Sequence, residues 1–294
     1  MKVTLLGTGS PVPMLNRASS GYLVEFGDQM LVFDHGGGAH ENFLRAGKHA
    51  VDLNTIFFSH THTDHCLDYA RLVHSRWDQG AGQIPDLQVY GPAYMQRMSD
   101  LLFGDHGVFH NDLDGRMNSE GSQRVYRNRG GTLPRKRPSP QVTGLYDGLV
   151  VEGEGWKVTA REVIHQPGHI EPYAFRLETA EGTLVYSGDT GPCDAIEELS
   201  QGADLLIHMC YFVSGSFMKP GQRLTSSGHL EAAHTAAKAG VKTLVATHFT
   251  PQMDAFGVKE KCLAEMREIF DGRIIWGEDL MEIPLLETEL PHAG

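Results

Sequence analysis

Residues 55–70 read TIFFSHTHTDHCLDYA, and this stretch predicts both a fold and a functional site. An apolar run of β-forming residues, Thr55 to Phe58, ends in a polar loop, and an amphipathic segment of helical period follows it. A loop between a strand and a helix can hold several side chains that converge on one point, because the flanking elements fix its ends. We therefore expect the polar residues of this loop to form the functional centre.

The polar loop carries three histidines and an aspartate, namely His60, His62, Asp64 and His65. His60 and His62 are two positions apart, so in an extended backbone both imidazoles point to the same side and can bind one metal ion. Asp64 and His65 follow at the turn into the helix, where they could bind a second cation nearby. These donors suit zinc, with manganese or iron as alternatives. An accidental histidine cluster on a solvated loop is the other interpretation, and the position directly after a buried strand disfavours it.

Outside this loop, short β-rich runs separated by glycine turns predict the remaining strands. They are KVTLLG, GYLVEF and QMLVFD before the loop, and LQVYG, GLVVEG, WKVTAREV, YAFRLE, GTLVYSGD, LLIHMC, TLVATHF, RIIWG and LMEIPL after it. Apolar residues at helical period predict helices in PAYMQRMSDLLF, SSGHLEAAHTAAKAG and VKEKCLAEMREIF. The chain therefore mixes strands and helices along its whole length.

The string HTHTDH at 60–65 resembles the metal-binding motif of the metallo-β-lactamase superfamily. The opening stretch GTGSPVPMLNRASSGYLVEFGDQMLVFDHGGG resembles the N-terminal strands and Asp-Gly turn of its ribonuclease Z-like branch, and SGDT at 187–190 and ATHFTP at 246–251 match two later motifs. The resemblance implies an α/β fold, the αββα four-layer sandwich of the metallo-β-lactamase type. It also implies a metal-dependent hydrolase.

The resemblance implies a set of metal ligands, carried over position by position. The first metal would be bound by His60, His62 and His165, the second by Asp64, His65 and His248, and both by Asp189. His169 is an alternative to His165, because it stands in PGH, which looks like the ligand position of lactonase and β-lactamase relatives. Asp189 ends an apolar run, LVYSGD, where an unpaired carboxylate has no structural reason to lie.

Such a centre would hold two Zn2+ per chain, with Mn2+ or Fe2+ possible, and a metal-bridging hydroxide would attack the substrate. Asp64 would take the proton from the attacking water as well as binding metal. His229 resembles a histidine that assists the leaving group in ribonuclease Z-like enzymes; the alternative is a helix-start residue that points to water. Asp34 would brace the metal loop from behind the ligands, unless it is a solvent-exposed aspartate of a glycine turn.

Two departures from ribonuclease Z concern the substrate. Those enzymes carry a tRNA-gripping arm between the third histidine and the bridging aspartate, whereas here His165 and Asp189 are too close in sequence for it. Their HEAT motif is replaced by HMCY at 208–211, so Met209 stands in place of a glutamate. We therefore expect a phosphodiester or related ester, small or medium-sized and anionic, and leave nucleic acid open. The alternatives are hydrolysis of lactones, aryl esters or β-lactams, and a non-catalytic metal-binding scaffold.

The composition agrees with one enzyme-sized domain spanning residues 1–294. The chain is 40% hydrophobic, which allows one large core, and its formal net charge of −12 argues against a protein that coats nucleic acid. It has no apolar run of membrane-spanning length, and its start predicts a strand rather than a signal region, so we expect no membrane association and a cytoplasmic location. Its four cysteines form no CxxC pair and are expected to be reduced; Cys66, beside His65, is a further ligand candidate but is more simply a buried structural thiol.

Residues 104–146 interrupt the pattern, because they are rich in Gly, Pro, Asn and Arg and have no clear period. We predict a long inserted loop. Its second part, residues 121–146, contains no acidic residue and the basic residues Arg124, Arg127, Arg129, Arg135, Lys136 and Arg137. This segment is expected to steer an anionic substrate or cover the site as a lid, or else to be the arm of a homodimer; a solvated loop is the third possibility.

Overall fold

The structure is a computed structural model that describes residues 1–216 and 224–285. Its two seven-stranded sheets each combine antiparallel and parallel pairs. The first sheet has the strand order β14-β1-β2-β3-β4-β5-β6. Its strands are β1 (Lys2–Gly7), β2 (Gly21–Phe26), β3 (Gln29–His35), β4 (Thr55–Phe57), β5 (Gln88–Gly91), β6 (Gln141–Gly144) and β14 (Glu282–Pro284).

The second sheet has the strand order β13-β12-β11-β10-β9-β8-β7. Its strands are β7 (Val150–Gly153), β8 (Trp156–Glu162), β9 (Tyr173–Thr179), β10 (Gly182–Tyr186), β11 (Leu205–Met209), β12 (Thr243–Thr247) and β13 (Arg273–Trp276). Strands β7 to β10 pair antiparallel and β10 to β13 pair parallel. The parallel strands are buried along most of their length, as is typical of strands covered on both faces.

The helices pack on the outer faces of the two sheets. In chain order they are α1 (Ala39–Arg45), α2 (Thr63–Cys66), α3 (Tyr69–Gly80), α4 (Tyr94–Phe103), α5 (His110–Asn118), α6 (Glu120–Asn128), α7 (Asp194–Leu199), α8 (His229–Ala239) and α9 (Val258–Arg267), with 3-10 turns at Ala50–Asp52 and Pro251–Asp254. Within the described ranges, no helix has the length and hydropathy needed to cross a bilayer.

Three apolar clusters account for the layering. The central cluster lies between the sheets and joins side chains such as Leu5 and Phe33 of the first sheet to Phe175 and Val245 of the second. A second cluster joins the second sheet to α7, α8 and α9, and a third joins the first sheet to α1, α3 and α4. Burial of apolar surface on both faces of each sheet stabilises this arrangement. The predicted αββα sandwich is therefore confirmed.

The insert at 104–146 is more regular than its composition predicted. It contains α5, α6 and the edge strand β6, which pairs parallel with β5. The helices are short and bury few apolar side chains, chiefly Leu113 and Tyr126, so they leave no clear period in the sequence. Tertiary contacts stabilise the segment instead: the guanidinium of Arg135 stacks 3.6 Å from the Trp77 ring centroid and contacts Asp78 at 3.1 Å. The predicted inserted loop therefore includes two short helices and an edge strand.

The fold brings several loops to one edge. Strands β3 and β4 of the first sheet and β10, β11 and β12 of the second all end there, because parallel neighbours share a direction. The residues that follow these five strand ends include every implied metal ligand except His165, which follows β8. Ligand sites at the carboxyl ends of parallel strands are common in α/β proteins.

Candidate metal centre

Seven side chains from four segments converge at this edge in two groups. Within each group, one candidate donor atom per residue lies within 4.8 Å of all the others. The first group consists of His60, His62, His165 and Asp189, and the second of Asp64, His65 and His248. These are the residues that the motifs implied.

The loop after β4 is held in place by its own backbone and by the first turn of α2. The Ser59 carbonyl accepts the N–H of Tyr173, and the N–H of Ser59 donates to Asp34, which ties the two sheets together just before His60. Helix α2 then starts at Thr63 and carries Asp64 and His65 in a single turn. A Cβ on Gly36 would lie 2.0 Å from the Asp64 carbonyl oxygen, so only glycine allows β3 and this loop to approach so closely.

In the first group, the ring nitrogens His60 Nε2 and His62 Nδ1 are 3.0 Å apart. The Nδ1 of His60 lies 3.0 Å from Ser59 Oγ, and the Nδ1 of His165 lies 2.6 Å from the Thr225 carbonyl oxygen. A carbonyl can only accept, so Nδ1 of His165 carries its proton and Nε2 keeps its lone pair. The Nε2 of His165 is 3.7 Å from Asp189 Oδ2, which leaves a donor-lined space for a cation.

In the second group, His65 Nε2 and His248 Nε2 are 3.2 Å apart, and Asp64 Oδ2 lies 3.3 Å from the former and 3.2 Å from the latter. The Nδ1 of His65 donates to Asp34 Oδ2 at 2.7 Å, which directs its Nε2 at Asp64 and His248. Two nitrogen lone pairs at this separation repel unless a proton or a metal ion lies between them.

Asp189 lies between the groups and faces both. Its Oδ2 is 3.3 Å from His248 Nε2 and 4.0 Å from His60 Nε2, and its Oδ1 is 3.5 Å from His65 Nε2. One carboxylate can therefore serve two cations. Asp189 is the last residue of LVYSGD, and it is only 4% exposed, so the histidines around it compensate its burial.

Unpaired donor atoms in the first group indicate that the site fits a divalent metal ion. Among the buried polar atoms of the described chain, His165 Nε2 and Asp189 Oδ1 have no hydrogen-bond partner. Buried polar atoms are normally paired, and both of these atoms belong to the first group. Imidazole nitrogens and carboxylate oxygens are the ligands that zinc, manganese and iron share.

The protonation of the ligands differs between the residues. Burial lowers the pKa of His60 well below its ordinary value and, together with His165, lowers the pKa of His62, so both rings are neutral. Burial would raise the pKa of Asp189, but His248 and His65 outweigh it and hold that pKa well below its usual range. Burial likewise opposes ionisation of Asp64, whose pKa is nevertheless held low by His65 and His248. Burial opposes protonation of His65, but Asp189, Asp34 and Asp64 outweigh it and raise the pKa of that ring, so a metal ion bound there has to displace a proton from it.

Asp34 stands directly behind these ligands and is fully buried. It accepts hydrogen bonds from the N–H and Oγ of Ser59, both at 2.7 Å, from His65 Nδ1 at 2.7 Å and from the Tyr186 hydroxyl at 2.6 Å. Its φ of 56° is unusual for a non-glycine residue and costs energy that these four bonds offset. The interpretation as an exposed turn residue is therefore wrong.

The structure separates the alternative ligands. His165 lies in the first group and is 6% exposed, whereas His169 is exposed on the same loop. Cys66 is buried, and its thiol donates to the carbonyl of His62 at 3.2 Å. Burial raises the pKa of this thiol to about 12, so it stays protonated and fits a structural role.

His229 is not among the converging side chains. It is fully buried at the start of α8, where its Nδ1 accepts the N–H of Ser214 at 3.1 Å and its Nε2 lies 2.8 Å from Glu265 Oε2. Both ring nitrogens therefore have partners from the chain itself. The interpretation as a helix-start residue that points to water is wrong, and the predicted assistance to a leaving group stays a prediction.

Sequence reasoning missed two tyrosines. The hydroxyl of Tyr186 supports Asp34, and the ring of Tyr211 lies 5.7 Å from the ring of His248, centroid to centroid. Tyr211 follows β11 at the same sheet edge as the ligands, which is the signal that could have identified it.

A cleft of about 650 Å3 opens beside the second group. Its lining includes Thr63 and Asp64 from the metal loop, Gly37 and Gly38 after β3, and the segment 11–19. A second cavity, of about 370 Å3, lies between α3 and the insert and contains none of the seven candidate ligands. Of these two cavities, the first cleft is the one that reaches a candidate ligand, Asp64.

Comparison with known proteins agrees with this geometry. The family model described as a beta-lactamase superfamily domain matches residues 32–249. A protein named Ribonuclease Z from Mycolicibacterium paratuberculosis is 32% identical over 290 residues, covering 96% of this chain and 98% of that protein.

Solved structures share the fold. The metallo-beta-lactamase fold protein YhfI from Bacillus subtilis superposes with a TM-score of 0.73 at 24% identity, covering 96% of this chain and 98% of that one. The short form of human tRNase Z superposes with a TM-score of 0.69 at 20% identity, covering 97% of this chain and 100% of that one. At these identities the likeness establishes the architecture alone.

Proposed function

This chain belongs to the β-lactamase superfamily and is a metal-dependent hydrolase, and we propose that it cleaves phosphodiesters at a centre of two zinc ions. One observation carries the proposal: two adjacent groups of buried donors share the carboxylate of Asp189. Two-metal sites are typical of phosphatases and nucleases, in which one cation supports the attacking oxygen and the other the leaving oxygen.

The residues that would hold the cations follow from the two groups. His60, His62 and His165 would hold one, Asp64, His65 and His248 the other, and Asp189 both. When bound, such cations lower the pKa of coordinated water and polarise a phosphoryl oxygen. The predominance of imidazole among the donors favours zinc, with manganese or iron as substitutes.

The chain's own residues would orient the reactants and move the proton. Asp64 directs Oδ2 at His65 and His248, so its second oxygen remains to accept a proton from the attacking water. The low pKa of Asp64 keeps it ionised, as a proton acceptor must be at the start of the reaction. Asp34 fixes the His65 ring by accepting its Nδ1–H, so that Nε2 faces the centre.

Two classes of phosphodiester are supported by different observations. The relative named Ribonuclease Z covers nearly the whole chain at 32% identity, which supports an RNA substrate. The short spacing between His165 and Asp189, together with Met209 in place of the family's glutamate, supports a smaller phosphodiester instead. Met209 cannot exchange protons, and its sulfur accepts the N–H of Thr190 at 3.0 Å. We put RNA second for that reason.

Metal analysis combined with turnover tests the proposal. We expect about two zinc ions per chain after zinc dialysis, hydrolysis of bis(p-nitrophenyl) phosphate, and loss of both in Asp189→Ala. Asp204→Ala is the control, because that carboxylate binds the Thr183 N–H and Lys242 away from the centre. A loaded protein that cleaves lactones or aryl esters but no phosphodiester would refute the substrate class. Cleavage of an RNA with a 3′ extension in preference to bis(p-nitrophenyl) phosphate would reverse the order of the two classes.

A further inference from the structure

Tyr211 lies at the metal centre without being one of its ligands. After β11, the Cys210 N–H donates to the Thr247 carbonyl at 2.7 Å. This bond keeps the chain alongside the end of β12, and Tyr211 therefore lies near His248, which follows β12. The ring of Tyr211 packs on the ring of His248 at 5.7 Å between centroids, tilted by 43°. Tyr211 is half-buried, so part of its side chain remains accessible.

The ring contact with His248 places the side chain of Tyr211 beside the second group of donors. A phenol is a hydrogen-bond donor. Phosphodiester hydrolysis builds negative charge on the phosphoryl oxygens, which such donors stabilise.

The backbone at Tyr211 is tied to the segments that carry the ligands. Its N–H donates to the Ser227 carbonyl at 2.9 Å, and the Ser227 hydroxyl donates to the Thr190 carbonyl, next to Asp189, at 2.8 Å. Two residues earlier, the Thr225 carbonyl accepts Nδ1–H of the ligand His165 at 2.6 Å. Segment 225–227 thus connects Tyr211 to His165 and to the backbone next to Asp189, both in the first group, and limits its movement relative to them.

A second set of contacts holds the turn that follows Tyr211. The N–H of Ser214 donates to His229 Nδ1, whose Nε2 contacts Glu265, and the Ser214 hydroxyl donates to Glu231. A Cβ on Gly228 would lie 2.5 Å from Ser214 Oγ, so α8 can approach this turn closely only because residue 228 is glycine. The buried His229, paired with the half-buried Glu265, therefore contacts the turn through Ser214.

We propose that Tyr211 is a further catalytic residue, whose phenol donates a hydrogen bond to a phosphoryl oxygen of the substrate, and that His229 is the positioning residue that fixes its turn. The inference rests on the proposed phosphodiesterase activity. It gives His229 a role that its observed partners support, in place of the direct contact with a leaving group. It also supplies the centre with a neutral donor close to the position where Met209 has replaced an acid.

Replacement of Tyr211 by Phe tests the catalytic role, because it removes only the hydroxyl and keeps the ring on His248. We expect kcat for bis(p-nitrophenyl) phosphate to fall about 10- to 100-fold, as for the loss of one hydrogen bond to a charged group, with KM little changed and zinc content equal to wild type. Tyr146→Phe is the matched control, since Tyr146 is 62% exposed. A kcat equal to that of the control, or a loss of activity matched by loss of zinc, overturns the assignment.

A binding measurement separates this inference from the proposed function. Inorganic phosphate presents the same oxygens without any bond to cleave, so its Kd for the zinc-loaded protein is measured by calorimetry. We expect Tyr211→Phe to weaken phosphate binding about tenfold or more, even if wild type proves inactive on phosphodiesters. An inactive wild type refutes the function alone, whereas an unchanged phosphate Kd refutes the role of Tyr211.

The positioning role of His229 is tested by the conservative variant His229→Gln beside His229→Ala. A glutamine can accept the Ser214 N–H through its amide oxygen, so we expect it to restore most of the kcat that the alanine variant loses, with KM and zinc content near wild type in both. If Gln is as inactive as Ala while both are folded and loaded with zinc, the imidazole acts in the chemistry itself and the positioning role is wrong.

Discussion

Replacement of Asp34 by Asn should weaken metal binding although Asp34 touches no metal. The carboxylate accepts four hydrogen bonds, and its Oδ2 alone receives those of Ser59 Oγ, His65 Nδ1 and the Tyr186 hydroxyl. In the Asp34→Asn variant one of the two oxygens becomes an NH2 group, which can only donate. The two hydroxyls can rotate and accept instead, but the Nδ1–H of His65 cannot.

If the NH2 takes the Oδ1 position, it opposes the N–H of Ser59, the residue before the ligand His60. If it takes the Oδ2 position, His65 has two options, and both reduce its value as a ligand. It can keep the Nδ1 proton and leave it unpaired in a fully buried site, which costs about 1–3 kcal/mol. It can move the proton to Nε2, which blocks the lone pair that faces Asp64 and His248. Removal of such a supporting group typically costs 10- to 100-fold in metal affinity. That factor corresponds to about 1.4–2.7 kcal/mol, which agrees with the cost of one unpaired buried donor.

The assay is a competition titration of the metal-free protein with a chromophoric zinc chelator, read at pH 7.5. Asp68→Asn is the matched control, because Asp68 also accepts two backbone bonds, from Gly38 and His40, but contacts no ligand. Thermal unfolding of the metal-free proteins measures any general loss of stability separately. Zinc affinity in Asp34→Asn equal to that in Asp68→Asn would show that the orientation of His65 does not depend on Asp34.

Three further predictions concern ligands, catalysis and pH. His165→Ala should lose about half of the bound zinc while His169→Ala keeps all of it, by elemental analysis; the opposite pattern would exchange the two roles. Asp64→Asn should lower kcat about 100-fold or more at nearly constant KM in samples that retain zinc, and an unchanged kcat would remove its proton role. Burial lowers the pKa of His208 from 6.5 to about 4, so the stability that it contributes is complete above pH 6.5 and is lost as the pH falls toward 4. The unfolding free energy of the metal-free protein should therefore decrease by about 3 kcal/mol more over that range in wild type than in His208→Gln, and parallel pH profiles would contradict this.

The strands and the metal loop could be predicted because their signals are local. Alternating apolar residues mark β1 to β3, and four ligands lie within one loop at residues 60–65. What local sequence cannot specify is which sheet a strand joins. The last two predicted strands, RIIWG and LMEIPL, belong to different sheets: β13 pairs with β12, and β14 pairs with β1 at the other end of the chain.

The seven residues that the motifs implied converge, but their surroundings could not be predicted, for the same reason. Motifs specify candidate ligands, whereas the direction of a side chain at a helix start depends on partners that are distant in sequence. His229 lies 36 residues before Glu265 and 15 after Ser214, and it is these two contacts that hold its ring. The role of Tyr186 likewise follows from its hydrogen bond to Asp34, which is 152 residues away.

The basic residues of the insert carry less free charge than the sequence suggests, because several of them form ion pairs within the chain. Asp78 of α3 forms ion pairs with Arg129 at 2.6 Å and with Arg135 at 3.1 Å. Arg135 is also buried, with its guanidinium over the Trp77 ring. Arg124, Arg127 and Lys136 differ: all three are exposed, and no carboxylate of the described residues lies within ion-pair distance of them. Exposed charges act on a distant anion only within about a Debye length, some 8 Å at physiological salt. Any steering by the insert must therefore come chiefly from these three side chains, since Arg129 and Arg135 hold the insert on α3 and Arg137 pairs with Asp105.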